Sequence, residues 1–466
     1  MEKQNQREQS RMRLNDFIRS LREDIVSGKR QPGEHLPSEK TLSQQYRLSN
    51  LTIRKGLDKL VSEGLIAKIP RVGNVVIGSS GSPLVTVKLG THSSVAAEAR
   101  LEHLLELFHE RFPHIRVQTV PISSESYRQL PDYLTGGIAD AVMINYTSFQ
   151  MLMEKGHGDL LAPLEREEDI YPFLSDGFTY GGALLAQPFI FSPLILCYNR
   201  QHFAEKNIPE PDGRWRWTDI IANSTRLSEP GERIGFHCDL LSLHRWPLLL
   251  LQTGETFERY GDGRINLAGT AMMEAIRFCR TLIRELPLLS AGVVTGESEH
   301  LLAQGKASMI MTSYFYLNYL REKSLPFDIA PVPHQGMPGT LLLSTGLAIN
   351  SRSPVKEAAV QLVKFLISHS SQLIIRQHTY SLPARITAAE WSGRETLYRP
   401  SRFALFRETI PEFRYFSALR IRASELAAIH QEAKLYWAGL ESEKAFCKRV
   451  EQMPAPPGQH GSPMDF

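Results

Sequence analysis

The segment Leu36–Ile66, LPSEKTLSQQYRLSNLTIRKGLDKLVSEGLI, constrains the chain most. It holds two helical patterns separated by only three residues, Arg47, Leu48 and Ser49. Pro37 and Ser38 open the first, with Ser38 suited to cap it and Leu42 and Tyr46 spaced i, i+4. Ser49 is suited to cap the second, in which Ile53, Leu57 and Leu60 face inward, Leu51, Arg54, Lys55 and Asp58 face outward, and Gly64 stops the helix. Upstream, Leu14, Phe17, Ile18, Leu21 and Ile25 share one helical face, and Gly28 ends that helix. A turn this short between two amphipathic helices predicts a helix-turn-helix. Leu65–Ile69 and Val75–Ile77, β-branched runs around the Pro70–Asn74 turn, predict a hairpin beside it.

Charge agrees with this division. Residues 1–77 carry 15 Lys and Arg against 9 Asp and Glu, and the remainder carries 38 against 41. A basic head on a slightly acidic body fits a polyanion partner, because phosphate neutralisation releases counterions. The head resembles the GntR family of bacterial transcription regulators. It keeps Leu36, Pro37, Ser38, Glu39, Leu42, Ser49, Thr52, Arg54, Leu57, Glu63, Gly64, Leu65 and Ile66 of that pattern. It departs at Lys40 and Asn50, where the family has arginine, and at Arg71, which replaces the first glycine of the wing turn. The resemblance implies a double-stranded DNA operator and a homodimer reading two half-sites. Asn50, Thr52 and Arg54 at the start of the recognition helix are expected at base edges or phosphates, with Ser49 and Lys55 beside them. Lys40 and Arg47 are expected on phosphates, Arg71 in a minor groove or on a phosphate, and Gly73 keeps the wing turn.

GSSGSP at 78–83 reads as a linker. Beyond it, the Leu84–Leu89 run, a helical pattern through Leu101, Leu104, Leu105, Phe108 and Phe112, the run Ile115–Val120 and the run Ala141–Ile144 alternate strand with helix. That alternation predicts an α/β body with a mostly parallel, doubly wound sheet. Binding sites of such sheets lie beyond the strand C-termini, at His92, Ser93 and Ser94 and at Asn145 and Tyr146.

From Val85 to the late 380s the chain also resembles family 1 extracellular solute-binding proteins, the receptors of sugar ABC transporters. GGIADAVMIN, LLAQGKASMIMTSYFYLNYL and STGLAINSRSPVKEAAVQLVKFL carry the resemblance in the family's order. So does the Tyr198, Asn199, Phe203, Ile208, Pro209, Pro211 and Trp217 series. It implies a multidomain chain: a winged helix-turn-helix followed by a two-lobed periplasmic-binding-protein-like body of type II, with a solute, a saccharide by family, in the cleft. Aromatic faces and planar polar groups suit sugar rings and hydroxyls, which selects Tyr146, Phe191, Trp246, Tyr314, Tyr316 and Ser344 beside His92, Ser93 and Asn145. Trp215 and Trp217 are expected to pack a helix start.

The expected layout is a disordered 1–11, a DNA-binding domain at 12–77, the linker, a sensing domain at 84–450 and a disordered tail at 451–466. After about Ala388 no family pattern holds, though Ser424–Leu440 reads as a helix. MEKQNQREQSRMRLNDFIRS lacks the apolar run of a signal peptide, so the chain is expected in the cytoplasm, with no membrane partner. Cys197, Cys238, Cys279 and Cys447 form no C-x-x-C pair and read as buried thiols. No phosphate loop, G-x-S-x-G elbow or H-E-x-x-H is found, so no cofactor, metal or enzyme activity is expected. Two rivals remain: a GntR head on a pyridoxal-phosphate aminotransferase-like body, which lacks its S-x-x-K setting here, and an exported transport receptor.

Overall fold

The computed structural model describes residues 2–69, 73–77, 84–123, 129–286, 296–321, 323, 325–395 and 397–454, with backbone alone at 2–12 and at Ser93. The linker expected at 78–83 and most of the expected tail lie outside the described residues. The chain forms two compact units, Met1–Val87 with Glu106–Gln118, and Lys88–Leu105 with Thr119–Phe466.

In the first unit, three helices, α1 (Glu2–Val26), α2 (Glu39–Tyr46) and α3 (Asn50–Ser62), precede an antiparallel hairpin of β1 (Ile66–Ile69) and β2 (Gly73–Val76). The backbone from Glu2 is already helical, where disorder was expected through residue 11. Ser38 Oγ accepts from the Thr41 amide at 3.1 Å and Ser49 Oγ from the Thr52 amide at 3.2 Å, so both expected caps form. Arg47, at φ 52°, takes the left-handed conformation that closes α2 and turns the chain into α3. Phe17, Ile18, Leu21 and Ile25 of α1 are buried with Leu42, Ile53, Leu57, Leu60, Ile66 and Val76 in one core. Gly56 lets α1 approach α3: a β-carbon there would lie 2.6 Å from Phe17 Cε1. Arg22 clamps the end of α3 through a bidentate pair with Glu63 at 2.8 and 3.0 Å.

The second unit is built on one mixed sheet. Its longer strands are β3 (Val85–Thr91, in this unit from Lys88), β4 (Ile115–Pro121, from Thr119), β5 (Ala141–Asn145), β6 (Gln187–Asn199), β7 (Ile234–His237), β8 (Ala307–Ser313), β9 (Phe327–Pro331) and β10 (Thr340–Ile349), and the short strands Leu382–Pro383 and Phe413–Arg414 pair at β6 and β10. The order is β4-β3-β5-β10-β6-β8-β7, and β9 also pairs with β6. The sheet is less parallel than the alternation predicts. β3 runs parallel to β5 and β8 to β7, but β10 pairs antiparallel with both β5 and β6, and β6 pairs antiparallel with β8 and β9.

The physical reason is the length of β6. Its first half, Gln187–Pro193, pairs with β10, and its second half, Leu194–Tyr198, pairs with β8, so this strand crosses from one lobe to the other. All 13 of its residues are buried. Its two faces feed two buried clusters: Leu194, Leu196 and Tyr198 join one around Phe149, Trp217, Trp246 and Ile276, and Ile195 and Cys197 join another around Phe191, Tyr314, Phe327 and Tyr380. The segment after Ala388 is integral to both. Phe403, Phe406 and Phe413 join the second core, and the helices Ala423–Trp437 and Glu443–Glu451 join the first. Trp437 Nε1 donates to the Ile276 carbonyl at 3.1 Å. Burying side chains of this size contributes about 1.5–3 kcal/mol each, so the segment after Ala388 cannot be removed without opening the body.

All four cysteines are free and buried. Among the described residues no single helix is long and apolar enough to cross a membrane; one bent pair, Lys356–Leu366 with His369–His378, passes by length and composition, but buries Leu362, Leu366 and Ile375 inside the fold.

Candidate functional site

In the first unit the expected DNA-facing residues lie on α2, on the turn that follows it and on the start of α3. Lys40 lies in the first turn of α2, Arg47 closes it, and Ser49, Asn50, Arg54 and Lys55 are exposed along the start of α3. Thr52 is half-buried, its hydroxyl 2.8 Å from that of Ser49. Gly73 opens β2 at φ 112°, and Arg71 lies outside the described residues.

Two residues that sequence reasoning left without a role belong to this face. Among the described residues of the unit, Leu51 is the most exposed large apolar side chain, at 65%. Glu39 holds Arg54: Nη2 donates to Oε2 at 2.8 Å and Nε to the same carboxylate at 3.1 and 3.2 Å. The guanidinium lowers the Glu39 carboxyl below the usual carboxylate range, and the carboxylate raises Arg54 in turn. The pair fixes where the guanidinium waits; at a largely exposed site it adds little stability.

In the second unit, β3 and β5 end side by side, and the helices that follow them, α4 (Ser93–Ala99) and α6 (Tyr146–Glu154), start at the rim of a cavity of about 200 Å³; α5 (Leu101–Arg111) follows α4 in the sequence. His92 caps α4, its Nδ1 3.2 Å from the Ser94 amide, and Asn145 caps α6, its Oδ1 accepting from the Ser148 amide at 2.8 Å. Leu341–Thr345 of β10 form the floor. Leu243, His244, Phe315 and Tyr316 come from the other lobe and Phe416 from the C-terminal segment.

The structure brings His92, Asn145, Tyr146, Tyr316 and Ser344 together here, five of the nine residues selected from sequence. The side chain of Ser93 lies outside the described residues. Phe191, Trp246 and Tyr314 are elsewhere. Phe191 and Tyr314 are fully enclosed in the second core, where the Tyr314 hydroxyl donates to the Phe403 carbonyl at 2.9 Å. Trp246 sits in the first core, stacked on His430 with ring centroids 5.8 Å apart. Trp217 packs a helix start, as expected of it, and donates to Gln252 at 3.0 Å.

Tyr146 and Ser344 are anchored rather than free to swing. Tyr146 stacks on Tyr415 at 3.8 Å and donates to Ser417 Oγ at 2.7 Å; Ser344 Oγ lies 2.8 Å from the Tyr415 hydroxyl. Burial raises the Tyr146 phenol well above its ordinary value, so it serves as a neutral hydrogen-bonding group. The segment around Tyr415, which follows Phe413–Arg414 paired parallel to β10, therefore builds one wall of the cavity.

Sequence reasoning missed Glu98 and His244. Burial pushes the Glu98 carboxyl up to about 7, against a smaller pull from its hydrogen bond with Ser94. Burial, aided by the charge of Arg245 and by His92, pushes His244 down to about 4, and burial lowers His92 as well. Both imidazoles are thus kept in the neutral form. Glu98 had a readable signal, lying one helical turn beyond Ser94 on the helix after the first strand. His244 had none, being in a loop joined to the cavity only by the fold. Among the described residues, no group of three or more His, Cys, Asp or Glu could hold a metal ion.

A winged helix-turn-helix head and a two-lobed α/β body with a cavity at the strand ends define a fusion of a regulator head with a solute-binding body. The chain belongs to the family of bacterial extracellular solute-binding proteins, which matches residues 93–373, and residues 15–76 match the bacterial regulatory proteins of the gntR family. Relatives of the head include the HTH-type transcriptional repressor NagR of Bacillus subtilis, 36% identical over 60 residues, 13% of this chain and 25% of that protein. Another is the histidine utilization repressor of Klebsiella aerogenes, 32% identical over 110 residues, 22% of this chain and 44% of that protein. The chain thus spans less than half the length of these curated relatives. The body's fold is shared with the Listeria monocytogenes substrate-binding protein Lmo0181 in complex with cycloalternan, at TM-score 0.67 and 17% identity, covering 79% of this chain and 97% of that one. A Thermotoga lettingae solute-binding protein bound to tagatose gives TM-score 0.66 at 16% identity, covering 79% and 98%.

Proposed function

We propose that this chain is a cytoplasmic transcription regulator that binds a two-fold operator as a homodimer and senses a small solute, a mono- or oligosaccharide, in its second unit. One observation carries the reading: the same chain presents an exposed, cationic recognition-helix start on α3 and a cavity at the C-terminal ends of β3 and β5. The curated relatives of the head are named as repressors, and the fold neighbours of the body hold sugars. A cavity of about 200 Å³ favours the small end of the range, since about 150 Å³ takes one benzene-sized ring.

Solute binding acts on DNA binding only through a difference in affinity for two arrangements of the protein, and the two lobes linked through β6 supply the candidate motion. The test selects bound fragments from random-sequence DNA with the purified chain, then titrates the recovered duplex by fluorescence anisotropy with and without a sugar that raises the melting temperature. A recovered two-fold site whose affinity changes with the sugar supports the proposal. No selected sequence, or an affinity indifferent to every stabilising sugar, refutes the regulator or the sensor half respectively.

A further inference from the structure

The charge inventory of the cavity is lopsided. Glu98 is its one carboxylate among the described lining residues, and no lysine or arginine lines it. No ion pair with Glu98 occurs among the described residues; its carboxylate accepts a hydrogen bond from Ser94. The ionisable groups facing it are His92 at the start of its own helix, His244 across the cavity, and Tyr316 and Tyr319 from the turn Tyr316–Leu320. Both imidazoles are pushed toward the neutral form and both phenols toward the protonated form. Arg245, next in sequence to His244, is directed elsewhere: its guanidinium lies over the Tyr316 ring at 5.1 Å, and its charge acts on the buried Glu299 behind.

A half-buried carboxylate that lines a cavity without a cation is a binding group waiting for its partner. Charge-assisted hydrogen bonds are roughly twice as strong as neutral ones, whereas a phosphate or carboxylate placed beside Glu98 meets a like charge with nothing to offset it. We propose that the solute taken by this cavity carries a cationic nitrogen that pairs with Glu98, as an amino sugar does, and that phosphorylated and acidic sugars are excluded. The inference rests on the reading of the cavity as the ligand site. Because the carboxyl ionises near 7 in the empty cavity, and a cation binds only the ionised form, affinity rises about fivefold from pH 6 to pH 7, following the ionised fraction.

The experiment measures melting shifts and calorimetric affinities of the full chain with hexoses, their aminodeoxy derivatives bearing the amine at carbons 2, 3 and 6, and their 6-phosphates, at pH 6 and pH 7. Binding confined to amino derivatives, tightening about fivefold with pH, and weakened at least tenfold with a flat pH profile in Glu98→Gln, is the expected result. A neutral hexose or 6-phosphate that binds as tightly as any amino derivative overturns the cationic ligand but leaves the cavity as a sugar site. So does an amino derivative indifferent to Glu98→Gln. Thr147→Trp, at a half-buried lining position, separates the two levels: a ligand that still binds this variant unchanged does not occupy the cavity, and the underlying reading falls with the inference. Silence from the whole series overturns the inference as well.

Discussion

Gly56→Ala isolates what holds the recognition helix in place. In an exposed helix interior this substitution stabilises by about 1 kcal/mol, because alanine restricts the unfolded chain. Here the new methyl would sit 2.6 and 2.8 Å from the Phe17 ring and 3.2 Å from Leu14 Cδ1. Phe17 is fully buried and packs edge-on against Tyr46, ring centroids 4.9 Å apart, so its ring has no free volume to enter. Forcing a methyl into such a contact costs about 1–3 kcal/mol, and the propensity gain offsets about 1 of that. A net loss of about 1–2 kcal/mol is expected, felt where α1 meets α3. Hydrogen exchange of the full chain by mass spectrometry reads it locally: α3 amides that open with the helix pair exchange about 5- to 30-fold faster. Phe17→Leu added to Gly56→Ala should recover part of the loss. Unchanged or slower exchange in α3 would refute the packing argument, because helix propensity would then have won.

Arg54→Ala should weaken operator binding about 5- to 100-fold and reduce its salt dependence, read by anisotropy at several salt concentrations, while the melting shift from the solute persists. Glu39→Gln should raise affinity for random duplex several-fold in the same assay, because Arg54 no longer exchanges a carboxylate for a phosphate. Leu51→Ala should leave random-duplex affinity unchanged but relax discrimination at one thymine of each half-site, where an exposed apolar side chain meets the C5 methyl; unaltered discrimination would place Leu51 outside the groove.

What the sequence made legible follows the range of the interactions involved. Both serine caps bond to amides three residues on, and the buried faces of α1 and α3 repeat every turn, so local spacing carries the head. Leu51 was visible as outward-facing, but Glu39 was not visible as the partner of Arg54, fifteen residues away on another helix. In the body, the strand ends pointed to His92, Asn145 and Tyr146, and the structure brings these three to one cavity because a sheet delivers its loops to one edge.

Aromatic selection worked less well for a reason specific to crossing strands. With all residues of β6 buried, no alternation tells which of its faces meets a cavity and which a core, and Phe191 faces core. Tyr314 and Trp246 likewise sit beside true lining positions, Phe315 and His244, one or two residues away, so chain proximity to the cavity was read correctly and side-chain direction was not. The segment Tyr415–Ser417, whose Phe416 lines the cavity, is joined to Tyr146 across 271 residues. Closure over that distance leaves no periodic trace, yet it decides which polar groups can face a ligand. Glu98 is therefore a product of topology rather than of motif: a short helix supplies the carboxylate, and five distant segments line the cavity around it without a lysine or arginine.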